Sequence, residues 1–372
     1  MDEMASSDAN IAAGSRAAMP ANDLDARFDL LVEAVQTNCH ITDARHARNM
    51  TMCTYLLEMR ELYRWERGVA LTARLPRAEV GTWIARREAL WAAFEEAELR
   101  RLPLEEGFVD PFDVETINRA LVPHNLVYGA GVGRFGKPQF FLGGLEREEW
   151  RDGVRILVSR REYARDLSPA PAALRADTIY VRLESLQRVL WERAEAWERR
   201  RPDGALKSAL DAYGFDGDPP AALKSMAAAE AETLILHELG EHRAARELSP
   251  AWERMLLGFT RRKAELFARA ARDHLADCTV TLPALLQRDA APSLHFWFSG
   301  FDGMRRELFP RLGTAYEAWR GGDHGRALSV AVVAGAVHWR RVCARTLDLY
   351  ETLGTDAENA VAALAASAGS RL

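Results

Sequence analysis

Apolar residues recur every three or four positions through most of this chain, and the helical period fails over one long internal stretch. The period is clear in LDARFDLLVEAV, residues 24–35, and in MCTYLLEMRELYRW, residues 52–65, where it places apolar side chains on one helix face. Pro76 is suited to open a further helix. From Leu186 onward the pattern is helical again, with breaks at turn-forming segments such as RRPDG and DGDPP.

Strand-like runs fill the interval near residues 126–185. NLVYGAGVG and PQFFLGG flank a glycine-rich turn, and VRILVS and DTIYVRLE follow them. The charged segment LEREEWRDG and the loop DLSPAPAALRAD separate these runs. The sequence therefore predicts a mainly α fold, a multi-helix bundle-like array with a small antiparallel β insertion.

Four regions follow from this pattern. Residues 1–24, biased toward Ala, Ser, Asp and Asn, are predicted to be a disordered tail. Residues 25–125 form an N-terminal helical region, residues 126–185 the β-containing insertion, and residues 186–372 a C-terminal helical region.

The composition argues against several partners. Lys and Arg total 49 against 54 Asp and Glu, a net charge of −5, so we expect no nucleic-acid partner. The longest apolar run, ALSVAVVAGAV at 327–337, is too short to span a bilayer, so we expect no membrane partner. The four cysteines form no CxxC pair and the N-terminus lacks a signal-peptide core, which favours a cytoplasmic location. The oligomeric state stays open.

GVGRFG, residues 131–136, fits the GxGxxG pattern of nucleotide-binding loops. A dinucleotide-binding fingerprint needs a helix after the glycines, and here Pro138 and a strand-like run follow. The glycines are more simply explained by a hairpin turn.

The segment HELGEH, residues 237–242, lies in a run of good helix formers that Pro250 ends. On a helix, Glu238 and His242 fall in the middle of an apolar stripe, and His237 and Glu241 fall on its flank. The stripe consists of Ala231, Leu234, Ile235, Leu239 and Ala245. Ionised groups on a buried face need a partner, a shifted pKa or a metal.

HELGEH differs from the zinc-protease signature HExxH by one residue between the histidines. The two histidines are about 140° apart around a regular helix and cannot hold one ion unless the helix is distorted, which Gly240 would tolerate. Two interpretations remain. Glu238 and His242 form a buried structural hydrogen bond, or the segment contributes to a metal or acid–base site shared with other helices.

Two further helices carry ionisable residues on predicted apolar faces. Asp43 and His46 are three residues apart, a spacing like that in di-iron carboxylate proteins, although Asp43 also suits a helix cap and His46 an ordinary half-buried position. Asp273 and Asp277 are four apart, and two carboxylates on one face repel unless a cation or proton lies between them; the alternative is that this face borders solvent. We expect the three helices to bring their groups within about 10 Å.

The leading functional hypothesis is a metal-dependent enzyme, an oxidoreductase or hydrolase acting on a small molecule. Glu238 is the candidate catalytic residue, and a divalent metal (iron, manganese or zinc) is the expected cofactor. The candidate metal ligands are His237, Glu241, His242, Asp43, His46, Asp273 and Asp277. The alternative is a non-catalytic interaction or regulatory protein. CHITDARHA and HFWFSGFDGMRRELFP resemble an uncharacterised family of bacterial cytosolic helical proteins, a resemblance that implies no activity.

Overall fold

The computed structural model describes residues 21–133 and 136–372, so most of the predicted tail at 1–24 lies outside the described residues. The elements of the first half are α1 (Ala21–His46), α2 (Met52–Glu66), α3 (Arg77–Ala92), β1 (Leu102–Leu104), β2 (Gly107–Val109), α4 (Val114–Leu121), β3 (Leu126–Val132), β4 (Pro138–Arg151), β5 (Val154–Arg165), β6 (Ala172–Arg175) and β7 (Thr178–Arg182).

The second half is helical. Its elements are α5 (Leu183–Glu198), α6 (Ala205–Tyr213), α7 (Pro219–Leu248), α8 (Pro250–Gly258), α9 (Arg262–Ala276), a π-helical turn (Asp277–Thr281), α10 (Leu282–Gln287), α11 (Ala291–Ser299), α12 (Gly303–Leu308), α13 (Pro310–Arg320), α14 (Arg326–Leu353) and α15 (Ala357–Ala366). The longest, α7, begins where the Asp218 side chain accepts a hydrogen bond from the backbone N–H of Ala221, and Pro219 follows that cap.

Five strands form a curled half-barrel in the order β3-β4-β5-β7-β6, and β1 pairs with β2 as a separate hairpin. Neighbouring strands are antiparallel except β5 and β7, which are parallel. The pairing of β4 with β5 shifts register at three points between Leu142 and Arg147. Such irregularities bend and twist the strands, which accounts for the curl.

The predicted fold class is wrong in its description of the sheet. Of the described residues 66% are helical, but the sheet is mixed, has five strands and is not a small antiparallel insertion in a helical bundle. Two segments explain the error. The LEREEWR part of LEREEWRDG belongs to β4, which continues as a solvent-facing strand to Arg151, and AALR within the predicted loop is β6. The charged residues of the first segment and the prolines near the second are typical of loops. Pairing with β5 and β7 stabilises both segments as strands.

Side-chain contacts identify the concave face of the half-barrel. Phe141 on β4 and Tyr180 on β7 have ring centroids 6.0 Å apart although β5 lies between their strands. Arg175 on β6 donates to the carbonyl oxygen of Val132 on β3 at 3.5 Å. On a flat sheet the backbones of β3 and β6, four strand spacings apart, would be separated by about 19 Å. A Cβ on Gly131 would overlap the Arg175 guanidinium. The two edge strands therefore approach each other, and Arg175 bridges them.

Helices cover the opposite face. Helix α1 packs on Tyr128, Phe140 and Leu142, and α5 and α7 pack on the β5 and β7 residues Ile156 and Ile179. The largest core lies among the C-terminal helices and includes the inner face of α14. Among the described helices, α14 is long and apolar enough to cross a membrane by length and composition, with 39% of its most apolar segment buried.

Two side chains from helices, one buried and one half-buried, cap the edges of the sheet. Asn118 on α4 donates to the carbonyl oxygen of Tyr128 and accepts from its N–H, both at 2.8 Å, as a neighbouring strand would. Glu238 on α7 accepts from the N–H of Leu174 on β6 at 3.0 Å. Unpaired edge groups are costly when buried and invite pairing with other chains when exposed. Asn118 and Glu238 are therefore edge caps.

Removing either cap is expected to destabilise the protein. Asn118→Ala leaves two buried backbone groups unpaired and should lower the free energy of unfolding by about 2–4 kcal/mol, and Glu238→Ala by about 1–3 kcal/mol. Glu238→Gln keeps an acceptor oxygen and should cost less than Glu238→Ala. Urea unfolding followed by circular dichroism measures each change. The control Asn359→Ala, on an exposed position of α15, should stay within about 0.5 kcal/mol. Equal stability of Asn118→Ala and this control would contradict the capping role.

Candidate functional site

The two histidines of HELGEH face different neighbours. Helix α7 is continuous through the segment, and His237 Nδ1 lies 2.9 Å from Asp277 Oδ1 on the π-helical turn. His242 Nε2 lies 2.9 Å from Asp177 Oδ1, in the turn between β6 and β7. The predicted divergence of the histidines is confirmed. The interpretation in which Glu238 and His242 bond each other is wrong, because each bonds a residue of the β6–β7 hairpin instead.

Gly240 allows α7 and α9 to pack closely. A Cβ at this position would lie 2.7 Å from the carbonyl oxygen of Ala276, closer than real Cβ contacts. The glycine therefore serves helix packing and not the helix distortion considered from the sequence. The close approach brings the polar residues of α7 against those that end α9.

These residues form a network that we call the α7–α9 cluster. It consists of His237, Glu241, Arg272, Asp273, Asp277 and Arg305. His237 Nε2 lies 3.5 Å from Glu241 Oε1, and Arg272 Nη2 lies 3.0 Å from the same oxygen. Arg305 Nη2 from α12 lies 2.5 Å from Asp277 Oδ2. The cluster thus joins three helices through alternating charges.

Asp277 is the buried centre of the cluster. It begins the π-helical turn, a distortion that often accompanies functional sites. Burial would raise the pKa of Asp277, but His237 and Arg305 hold it well below its ordinary value. Burial would likewise lower the pKa of His237, and Asp277 and Glu241 hold it well above its ordinary value. An imidazolium–carboxylate pair is therefore the form of these two residues at neutral pH.

Glu241 and Asp273 have opposite protonation preferences. Burial opposes ionisation of Glu241, but His237 and Arg272 lower its pKa to about 2. Burial and the neighbouring Glu241 raise the pKa of Asp273 to about 6. The nearest guanidinium nitrogen, on Arg272, is 3.8 Å from Asp273. The side chains of Glu241 and Asp273 are 20% and 25% exposed, so solvent reaches both.

Asp43 and His46 have partners outside this cluster. Asp43 Oδ1 accepts from Lys137 Nζ at 2.5 Å and its Oδ2 accepts from the N–H of Leu167 at 2.9 Å. Burial and Asp166 raise the pKa of Asp43 to about 6 against the effect of Lys137. His46 Nδ1 lies 2.9 Å from the carbonyl oxygen of Thr42 in its own helix.

The structure thus brings together four of the eight predicted site residues, namely His237, Glu241, Asp273 and Asp277. Glu238, beside them on α7, caps β6, and burial and then Glu241 raise its pKa. Asp43, His46 and His242 make no hydrogen bond or ion pair with the cluster in the described part of the chain, so the contacts do not support one shared site. Across residues 21–133 and 136–372, no three His, Cys, Asp or Glu side chains are placed to hold a metal ion.

Sequence reasoning missed the two arginines of the cluster. Arg272 directly precedes Asp273, so the sequence shows that the two are close. A charged residue next to another along a helix usually faces solvent, however, and does not indicate a site. Arg305 is 28 residues from Asp277, and no local pattern indicates that their helices meet.

The charge of His237 should make stability depend on pH. Because its pKa is higher in the folded protein than its ordinary value of 6.5, the stabilisation is complete below pH 6.5 and disappears as pH rises through the folded value. In that window the difference in unfolding free energy between wild type and His237→Gln should shrink by about 1.4 kcal/mol per pH unit. Urea titrations from pH 6 to 10 measure it.

His295→Gln provides a control of opposite sign. Burial and then Arg320 lower the pKa of His295, so its contribution to stability should be lost as pH falls below 6.5 and be constant above it. A difference between wild type and His237→Gln that does not change with pH would contradict the imidazolium assignment.

Comparison with known proteins assigns the chain to a family. Models of the N-terminal and C-terminal domains of a family of unknown function, DUF6866, match residues 30–182 and 187–368. The chain belongs to this family. No curated protein and no solved structure matches it.

Proposed function

We propose that this DUF6866 protein is an enzyme that transfers protons at the α7–α9 cluster during hydrolysis of a small-molecule substrate. The observation that carries the proposal is the pairing of Glu241 and Asp273, two neighbouring carboxyl groups whose surroundings push their pKa values to about 2 and about 6. This difference between the two pKa values lets Glu241 stay ionised while Asp273 exchanges a proton near neutral pH.

Each residue has a part in the proposal. Asp273 is the general acid–base, because its pKa lies close to working pH and its carboxyl group is reachable from solvent. His237, held by Asp277, supplies a fixed positive charge beside Glu241. Arg272 orients Glu241 through the 3.0 Å contact. Glu238, the candidate from the sequence, is assigned here to sheet capping and not to proton transfer.

The test substitutes Asp273. Asp273→Asn removes the titrating group but keeps its size, and we expect it to lower turnover by about 10²–10⁴-fold on any ester, amide or phosphoester that the wild type hydrolyses in a substrate screen. The wild-type pH profile should show an inflection near pH 6. The matched control is Asp211→Asn, at an exposed position paired with Lys207, which should keep full turnover.

A second measurement needs no substrate. Carboxyl carbon shifts in nuclear magnetic resonance should report Asp273 titrating near pH 6, far from the ordinary value of about 3.9. Titration of Asp273 near pH 4, or full activity in Asp273→Asn, would overturn the proposal.

The divalent cation expected from the sequence (iron, manganese or zinc) remains a separate prediction. Because a histidine ligand must be unprotonated, such a metal would replace the proton on His237. Elemental analysis of the purified protein should then find the metal, and His237→Ala or Glu241→Ala should lower its content by about tenfold. His242→Ala, on the other side of α7, is the matched control. Wild-type protein without stoichiometric metal, or full metal in both cluster variants, would contradict a metal at this cluster.

A non-catalytic interaction protein is the second candidate function. The contacts of Glu238, His242 and Asp43 favour it. Each of these side chains binds another part of the same chain, so a structural role accounts for it without catalysis. Buried polar networks of this kind fix a unique structure without chemistry. The Asp273→Asn comparison separates the two candidates.

A further inference from the structure

The concave face of the half-barrel contains a pocket where β3 and β6 approach each other. Its volume for solvent is about 40 Å³, and its walls include Gly131, Phe141, Ala173, Arg175, Tyr180 and Arg182. A cavity needs roughly 10–15 Å³ of such space to hold one water molecule. The pocket therefore has room for a group of a few heavy atoms, and not for a large ligand.

The charge of the pocket is positive. Among the described residues that line it, two are arginines and none is a carboxylate. Arg182 is neutralised because its Nε and Nη2 donate to the carboxylate of Glu162 at 3.1 and 2.7 Å. Arg175 has no such partner among the described residues, and its contacts are the carbonyl oxygens of Leu174 and Val132 at 3.2 and 3.5 Å.

The neighbours of the two arginines fix their positions. The Arg182 guanidinium lies over the Phe141 ring, 4.4 Å from its centre, in a cation–π contact on the concave face. Gly131 leaves the space that the Arg175 side chain occupies, since a Cβ there would overlap the guanidinium. The half-buried Arg175 thus presents an uncompensated cation at the rim of a small pocket.

We propose that this pocket binds a small oxyanion, the carboxylate or phosphate group of a small molecule, with Arg175 as its main ligand. A guanidinium matches the geometry of two oxygens of a carboxylate or phosphate and binds them with charge-assisted hydrogen bonds. An anion would replace contacts to two neutral carbonyl groups, at 3.2 and 3.5 Å, with bonds to a charged partner. The site is distinct from the α7–α9 cluster, and the proposal is independent of the function proposed there.

The test uses inorganic phosphate, sulfate and acetate as probes on the full-length protein, with potassium chloride at matched ionic strength. Isothermal titration calorimetry should detect saturable one-to-one binding of at least one probe. Arg175→Gln removes the cation and should weaken that binding by about tenfold or more. Gly131→Ala keeps the cation but displaces it, and it should weaken binding as well. Which probe binds distinguishes a phosphate ligand from a carboxylate.

Arg119→Gln is the matched control, because this exposed arginine of α4 pairs with Glu115 of its own helix. It should bind the probe as the wild type does. Circular dichroism confirms that each variant is folded, and Gly131→Ala tests the site even if loss of the Arg175 bridge unfolds the sheet. Absence of saturable binding of all three probes, or unchanged binding in folded Arg175→Gln or Gly131→Ala, would overturn the proposal.

Discussion

A strongly curled sheet that stops short of closure leaves two rows of backbone groups without strand partners, and this constraint shapes the rest of the molecule. A closed barrel has no edges, and an open sheet must cover them. Here the cover comes from side chains on helices, Asn118 at β3 and Glu238 at β6. These bonds require α4 and α7 to lie against opposite edges of the same half-barrel.

Helix α7 makes polar contacts with two neighbouring parts of the structure because its polar residues are spread around its axis. Glu238 and His242 contact the β6–β7 hairpin, whereas His237 and Glu241 contact α9 and the turn after it. Successive positions at about 100° make this division possible within six residues. The motif that resembles a protease signature is thus a junction between a sheet and a helical core.

Local periodicity predicted the parts of the structure that depend on nearest neighbours along the chain. It identified the helix around HELGEH, the divergence of its histidines and the shared face of Asp273 and Asp277. It failed for β6, whose four residues become a strand only by pairing with β7. It also failed for the partners of Glu238 and Asp277, because Leu174 and Arg305 come from distant segments. Residue spacing shows which groups share a face but not which element meets that face.

The boundary between the two family models, at residues 182–187, does not separate two independent folding units. One edge cap, Asn118, belongs to the first model, and the other, Glu238, belongs to the second. The core on the outer face of the sheet also joins β5 and β7 to α5 and α7. A fragment ending near residue 182 would expose the N–H of Leu174 and an apolar sheet face, and such a surface recruits strands from other copies of the fragment. Each half therefore needs its counterpart to complete its fold, because one sheet edge and one core are shared between the residues of the two family models.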